Sequence, residues 1–245
     1  MKTICSRSLL TLLLLACSGC AWLPVKNPLA EWVPSPNHNA RGAILIVLHA
    51  TEQESVSQSL TTLRTRNSGG KVSAHYLIGR DGRLYQLVAE NRRAWHAGGG
   101  RWGTITDVNS ASIGIELDNN GHDAFSEPQV RSLLLLLEDL CRRLDIPRTQ
   151  VIGHADMAPT RKKDPGALFP WARLAAAGFG IWPASHSAQA PLDFDAVAAL
   201  RTLGYPMADR AAAIVAFHRH FRGIESGEAV LDEEDRRILF ALLGN

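Results

Sequence analysis

Hydrophobic residues in the first two thirds of the chain form short stretches that are typical of strands. The unbroken apolar run Ile44–Leu48 predicts a strand that is buried on both faces. Two further strands are predicted at 75–78 and 84–88, joined by a turn through Asp81-Gly82. These segments indicate a sheet in this part of the chain.

A fourth strand, 112–117, alternates between two kinds of side chain. One face carries Ile113, Ile115 and Leu117, and the other carries Ser112, Gly114 and Glu116. The apolar face predicts contact with the core. Glu116 therefore points away from that core.

A long amphipathic helix is predicted between Ser126 and Pro147. Ser126 followed by Gln129 is typical of a capped helix start. Apolar residues then recur at helical spacing, namely Val130, Leu133, Leu134, Leu137, Cys141 and Leu144. A short strand at 151–153 follows, and the alternation of strands with a helix predicts an α/β domain over residues 41–182.

The last part of the chain has a different pattern. A stretch rich in Ala, Ser and Gln, Pro183–Pro191, separates it from the α/β domain. Helical patterns follow at 193–203, at 209–221 and from Asp232 onward. We expect a small all-α domain of three helices at 190–245, too small to carry much chemistry alone.

The N-terminus reads as a targeting segment. Lys2 and Arg7 precede a short apolar run, Leu9–Ala16, which is shorter than a transmembrane helix requires. The residues that follow resemble a bacterial lipobox, in which either Cys17 or Cys20 would be lipidated. We therefore interpret residues 1–20 as a signal peptide with a lipobox; a plain signal peptide is the alternative.

Two consequences follow from that interpretation. Neither cysteine is followed by Asp, so a lipid anchor on the periplasmic face of the outer membrane is expected. Residues 21–40 contain Pro24, Pro28, Pro34 and Pro36 with little periodicity, and are interpreted as a linker.

Charge and cysteine content argue against two classes of protein, nucleic-acid binders and disulfide-rich domains. The formal net charge is +2 at pH 7, and no basic stripe indicates a nucleic-acid partner. Of the four cysteines, three lie at or before residue 20, so no disulfide framework is predicted. The oligomeric state stays open.

Two histidines at the ends of predicted strands are candidate metal ligands. His49 and His154 each close a predicted strand, and Asp164 lies ten residues after His154. Two imidazoles, one carboxylate and an open fourth position are typical of a catalytic zinc site. Each histidine taken alone is more often structural, so this spacing by itself leaves the metal open.

Six blocks of sequence carry a more specific signal. In chain order they are Leu48-His49-Ala50-Thr51, Ser73-Ala74-His75-Tyr76, Ala94-Trp95-His96-Ala97-Gly98, Ser112-Ile113-Gly114-Ile115-Glu116, Gly153-His154-Ala155-Asp156-Met157-Ala158-Pro159 and Arg161-Lys162-Lys163-Asp164-Pro165-Gly166. Together they resemble the zinc-dependent N-acetylmuramoyl-L-alanine amidases, a family that includes phage amidases and animal peptidoglycan recognition proteins. The lipoprotein amidases of enterobacteria are the nearest branch, followed by the cytosolic muropeptide amidases.

The resemblance implies a fold and a role for each matching residue. It implies a mixed central sheet flanked by helices, one zinc ion per chain held by His49, His154 and Asp164, and catalysis by Glu116 and Lys162. His75, Trp95 and His96 are candidates for substrate binding. For the two histidines the alternatives are a position around the zinc ligands, a structural role or lining of the pocket, and for Trp95 the alternative is a buried aromatic. The C-terminal helices resemble a peptidoglycan-binding module, and the expected partners are peptidoglycan and muropeptides.

The chemistry expected of these residues is amide hydrolysis between N-acetylmuramic acid and L-alanine, for cell-wall turnover and recycling. Glu116 suits a general base, and Lys162 suits stabilisation of negative charge in the transition state. Three alternatives remain at this stage: a recognition protein without catalysis, a cytosolic recycling enzyme, and an unrelated zinc hydrolase such as an endopeptidase. The sequence leaves open whether the intact polymer or released fragments are preferred.

Overall fold

The computed structural model describes residues 26–40, 42–67, 70–184, 188–225 and 227–244. The predicted signal peptide and lipobox, including Cys17 and Cys20, lie outside the described residues. The strands are β1 Glu31–Trp32, β2 His38–Ala40, β3 Leu45–Ala50, β4 Arg66–Asn67, β5 Gly70–Lys71, β6 Tyr76–Ile78, β7 Leu84–Gln86, β8 Arg92–Ala94, β9 Ser112–Leu117 and β10 Val151–Gly153. The helices are α1 Val56–Arg64, α2 Val108–Ala111, α3 Glu127–Leu144, α4 His154–Met157, α5 Trp171–Ala176, α6 Ala196–Leu203, α7 Arg210–Arg222 and α8 Glu233–Leu242.

A mixed sheet forms the centre of the molecule, as the resemblance implies. Its strand order is β1-β7-β6-β9-β3-β10, and β6 and β7 form its antiparallel hairpin. The central strands β3 and β9 run parallel, with Leu45 opposite Ser112 and His49 opposite Glu116. Paired residues of neighbouring strands point to the same face, so His49 and Glu116 lie side by side.

The face opposite these two residues is covered by α3. Ile46 and Leu48 of β3 and the apolar face of β9 pack against Leu133 and Leu137 of α3 in one buried core. The Ser126 side chain accepts a hydrogen bond from the backbone N–H of Gln129 at 3.3 Å, which caps the start of α3. The burial of α3 explains why its repeat is so evident in the sequence.

The face that carries His49 is shared with the C-terminal helices. Leu45 and Val47 of β3 lie in one buried cluster with Leu200 of α6, Phe217 of α7 and Leu239 of α8. The three predicted helices are present, and they bury their apolar sides against the sheet as well as against one another.

Part of the segment interpreted as a linker also lies against the sheet. β1 pairs in parallel with β7, and the backbone N–H of Asn27 donates to the Gln86 side chain at 2.8 Å. Asn27 is buried, and its side chain donates to Asp139 of α3 at 2.8 Å. Two-residue strands have too short a pattern to be seen in a proline-rich sequence. Within the described ranges, no helix combines the length and apolar character needed to cross a membrane.

Candidate metal centre and active site

Three potential metal ligands converge at the end of the central sheet. His49 Nδ1 lies 2.9 Å from His154 Nδ1 and 3.2 Å from Asp164 Oδ2. The His154 Nδ1 to Asp164 Oδ2 distance is 3.1 Å. All three residues are buried. Among the His, Cys, Asp and Glu side chains of the described residues, these three lie close enough together to hold a metal ion.

The local fold explains this convergence. His49 ends the buried run of β3, and His154 begins α4 directly after β10, which pairs with β3. Asp164 lies on the loop after α4. Its backbone carbonyl accepts a hydrogen bond from the Ala155 N–H at 2.9 Å, which holds the loop against α4. Residues 105 positions apart in sequence are thus brought into contact by parallel strand pairing.

The donor set fits a zinc ion. Burial and the neighbouring His154 lower the pKa of His49 to about 4, so its imidazole is neutral and carries a lone pair. Burial alone would raise the pKa of Asp164, but the two imidazoles beside it hold that pKa below its usual range. Lone-pair atoms this close repel unless a proton or a cation lies among them. Two imidazole nitrogens and one carboxylate oxygen are ligands that catalytic zinc sites use.

Glu116 lies beside this cluster. Burial and, after it, the negative charge of Asp164 raise the pKa of Glu116 to about 8, although the positive charge of Lys162 opposes this rise. Its Oε2 atom is buried without a hydrogen-bond partner in the part of the chain that the structure describes. An unpartnered carboxylate with a pKa near neutrality is suited to accept and return a proton.

These residues line a cavity of about 190 Å³. Its walls include His49, His154, Asp164, Glu116, Lys162, Trp95 and His96. The structure therefore brings together the predicted ligands and both predicted catalytic residues. Trp95 is partly buried, and Lys71 Nζ lies 5.5 Å from the centre of one of its rings.

His75 has a different position from the one predicted for a substrate contact. Its side chain has no exposed surface. Its Nε2 donates to the Arg92 carbonyl at 2.9 Å, and its Nδ1 accepts the Gly114 N–H at 2.9 Å. A fully buried ring with these bonds favours the structural alternative for His75 over a substrate contact.

Sequence reasoning missed two groups near the site. The Asn109 Oδ1 atom accepts the backbone N–H groups of His96 and Ala97 at 3.0 and 2.9 Å. The Arg161 guanidinium donates to the carbonyls of Ala97 and Gly99 at 2.6 and 2.7 Å. Both groups fix the loop that carries His96, but their partners are distant in sequence. Only the place of Arg161 in the block that contains Asp164 could have indicated it.

A further missed residue, Asp156, joins α4 to the C-terminal helices. Its carboxylate accepts the Gly153 N–H at 2.7 Å, the His220 Nδ1–H at 2.8 Å and the Tyr205 hydroxyl at 2.8 Å. Asp156, His220 and Tyr205 are all buried. The turn of helix that presents His154 is therefore held partly by residues of α7 and of the segment after α6.

Comparison with known proteins identifies the family of this chain. The sequence model of the family described as N-acetylmuramoyl-L-alanine amidase matches residues 40–167, just over half of the chain. The amidase AmiD of Escherichia coli strain K12 is 36% identical over 233 residues, covering 81% of this chain and 82% of AmiD. The chain belongs to the N-acetylmuramoyl-L-alanine amidase family.

Solved structures of this amidase family share the fold. The complex of E. coli AmiD with anhydro-N-acetylmuramic acid-L-Ala-D-γ-Glu-L-Lys superimposes with a TM-score of 0.72 at 34% identity, covering 82% of this chain and 89% of that one. AmpDh3 from Pseudomonas aeruginosa superimposes with a TM-score of 0.74 at 30% identity, covering 91% of this chain and 98% of AmpDh3. Both similarities extend well beyond residues 40–167, so they include C-terminal helices.

Proposed function

We propose that this amidase uses one zinc ion, held by His49, His154 and Asp164, to hydrolyse the amide bond between N-acetylmuramic acid and L-alanine. The convergence of the three donor atoms beside the unpartnered Glu116 carboxylate carries the proposal. The family supports the choice of bond, and the geometry supports the means of cutting it.

The zinc ion would act as a Lewis acid towards the amide carbonyl and the attacking water. Glu116 takes the proton of that water and returns it to the leaving nitrogen. Its Oε2 atom is buried and has no hydrogen-bond partner within the described residues, so this oxygen is available to the proton. Protonation of the nitrogen matters because an unprotonated amine is a poor leaving group.

Lys162 has a separate role. Its side chain lines the same cavity, two residues before Asp164. A fixed ammonium group there stabilises the negative charge that develops on the carbonyl oxygen as the water adds. Such preorganised donors typically lower the barrier enough to change kcat roughly 100 to 1000-fold.

We propose a muropeptide as the substrate class. AmiD and AmpDh3 have each been solved with an anhydromuramic peptide. Next to the cavity of this chain lies a second cleft of about 560 Å³, bordered by Trp95 and by the cations Lys71, Arg93, Arg161 and Lys162. A stem peptide carries free carboxylates, so a cationic cleft leading from the metal site complements it in charge.

Digestion of purified sacculi and of anhydromuropeptides by the full-length protein tests the reaction. An amidase releases peptides with L-alanine at the amino terminus and leaves sugar strands without peptide. An endopeptidase would instead leave shortened stems on the sugar, and mass spectrometry separates the two. We expect a chelator to abolish release and zinc to restore it. Activity in a metal-free preparation would contradict the zinc proposal.

We also propose that a lipid on Cys17 or Cys20 anchors the protein to the periplasmic face of the outer membrane. The lipobox-like sequence supports this proposal. A lipidated cysteine with several acyl chains gives attachment that resists salt, unlike attachment by charge. We expect the protein in salt-washed outer-membrane fractions, and the Cys17→Ala and Cys20→Ala variants should identify the lipidated residue. Release of the wild type by salt would contradict the anchor.

A further inference from the structure

The two candidate histidine ligands both direct Nδ1 towards the metal site, which leaves Nε2 of each ring facing the protein. For His154, Nε2 lies 3.0 Å from the Ala97 carbonyl oxygen and 3.4 Å from the Arg161 guanidinium, so the carbonyl is the nearer partner. A carbonyl oxygen only accepts hydrogen bonds, so the proton of this ring is on Nε2. The Nδ1 lone pair of His154 is therefore available to a cation.

The partner of His49 Nε2 is itself a histidine ring. His49 Nε2 lies 2.9 Å from His96 Nδ1. Either nitrogen could donate in this contact, because each neutral ring has one protonated and one unprotonated nitrogen. The direction of this bond depends on where the proton of His96 lies.

The hydrogen bonds of Ser112 determine the direction of the bond between His49 and His96. Its hydroxyl donates to the Val108 carbonyl at 2.6 Å, which uses its single proton. Ser112 Oγ is also 3.2 Å from His96 Nε2, and it can only accept there. The proton of His96 is therefore on Nε2, and His96 Nδ1 accepts the Nε2–H of His49. This leaves the lone pair of His49 on Nδ1, which faces His154 and Asp164.

The strand beneath these rings leaves space for this arrangement. Ser112 and Gly114 precede Glu116 on the same face of β9. A side-chain carbon at Gly114 would lie 2.4 Å from Cγ of His96, closer than any real contact. The Asn109 side chain holds the backbone of His96 from the other side, through the N–H groups of His96 and Ala97.

We propose that His96 is a positioning residue for the metal centre, which with Ser112 fixes the tautomer of His49 so that Nδ1 is the ligand atom. The inference rests on the proposed zinc function. It assigns to His96 a task other than substrate contact. The protein partners of ligating histidines commonly determine which ring nitrogen is free, and their loss typically costs roughly 10 to 100-fold in metal affinity.

The first test is the ring protonation of His96 itself. Two-bond proton–nitrogen NMR correlation on the ¹⁵N-histidine-labelled chain, with and without zinc, reports which nitrogen carries the proton. We expect His96 as the Nε2–H tautomer, identified by its loss in His96→Asn. An Nδ1–H tautomer of His96 in the wild type would overturn the proposal.

The second test compares two variants of His96 by zinc affinity, measured by competition with a chelating dye. Asn at position 96 can place its Oδ1 near the position of Nδ1, so His96→Asn should keep a Kd close to that of the wild type. His96→Leu has no acceptor and should bind zinc roughly 10 to 100-fold more weakly. His122→Asn, an exposed position, controls for loss of a histidine. Melting temperatures exclude unfolding as the cause.

The outcomes separate this proposal from the proposed function. If His96→Leu bound zinc as tightly as the wild type, or if Asn and Leu weakened binding equally, the positioning role would be overturned. If the wild type bound no zinc, the proposed function would fail. The NMR spectrum of His96 would still decide the direction of the hydrogen bonds.

Discussion

At the scale of single residues, the burial of Glu116 suits its proposed catalytic role but lowers the stability of the folded chain when its carboxylate is charged. Glu116 lies on a central strand beside His49, and its Oε2 atom has no partner within the described residues. Burial raises the pKa of its carboxyl from the usual value of 4.5 to about 8. The charged form is therefore less favourable in the folded metal-free chain than in the unfolded one. Raised carboxyl pKa values of this kind are typical of catalytic sites.

We predict a pH-dependent gain in stability from Glu116→Gln in the metal-free protein. Because the folded-state pKa is raised, the wild type keeps its full stability below about pH 4.5 and loses stability as the pH rises towards about 8. Gln does not titrate, so the difference in unfolding free energy between variant and wild type should grow across this window. Urea unfolding at several pH values, with a chelator present, measures it. A difference that stays constant with pH would contradict the prediction.

The same substitution should abolish catalysis. An amide cannot take the proton of the attacking water, so Glu116→Gln should bind zinc normally and lose turnover. Metal content and kcat on an anhydromuropeptide are the two measurements. Glu52→Gln is a matched control, because Glu52 borders the same cavity but is exposed. Near-normal turnover by Glu116→Gln would show that another group is the base.

At the scale of elements, sequence pattern was sufficient where one face is buried over many residues. The predicted strands at 112–117 and 151–153 coincide with β9 and β10, and α3 lies within the predicted helix. The helix α1 was missed because only Ser59 and Leu63 of its nine residues are buried. β1, β4 and β5 have two residues each, too few to show a period.

The candidate site likewise contains residues that the sequence indicated and contacts that it did not. The histidines at strand ends and the resemblance indicated His49, His154, Asp164 and Glu116, which the structure places around one cavity. The hydrogen bonds that orient them could not be predicted, because His96 meets Ser112 only after β9 and the loop before it have packed. Nor does any periodicity indicate that Asp156 meets His220, which lies 64 residues later.

The contacts of α4 give a prediction for Asp156→Asn. The carboxylate accepts three hydrogen bonds, and an amide has only one acceptor oxygen and presents two N–H groups instead. Leaving a buried donor unpaired costs about 1 to 3 kcal/mol, so unfolding free energy should fall by that order. Zinc should bind more weakly, because His154 begins the same helix.

The control for Asp156→Asn is Asp209→Asn. Asp209 caps α7 by accepting the Ala212 N–H at 3.0 Å, and Asn caps a helix about as well. Urea unfolding and zinc titration of both variants decide the matter. If Asp156→Asn matched Asp209→Asn in both measurements, Asp156 would not be holding the turn that carries His154.

At the scale of the whole molecule, the C-terminal helices have two possible roles. As a peptidoglycan-binding module, they would add a second contact to the polymer and raise the local substrate concentration. As part of the enzyme's core, they would instead stabilise the metal site. The buried cluster of Leu45 and Val47 with Leu200, Phe217 and Leu239 supports the second role.

A chain that ends near Pro183 separates these roles. This truncation removes α6–α8. It would expose Leu45, Val47 and Ile152, and would leave Asp156 without its partners Tyr205 and His220. Exposing buried apolar surface costs roughly 25 cal/mol per Å², so we expect a large fall in melting temperature. Activity should then fall on anhydromuropeptides and on sacculi alike, since the loss lies in the site and not in polymer binding.

The opposite result would contradict the shared-core account and support a tethering module. In that case the truncated chain would keep its melting temperature and its full activity on the small substrate, and would lose activity only on sacculi. Assaying both chains on both substrates, at a temperature below both melting points, keeps the comparison one of catalysis.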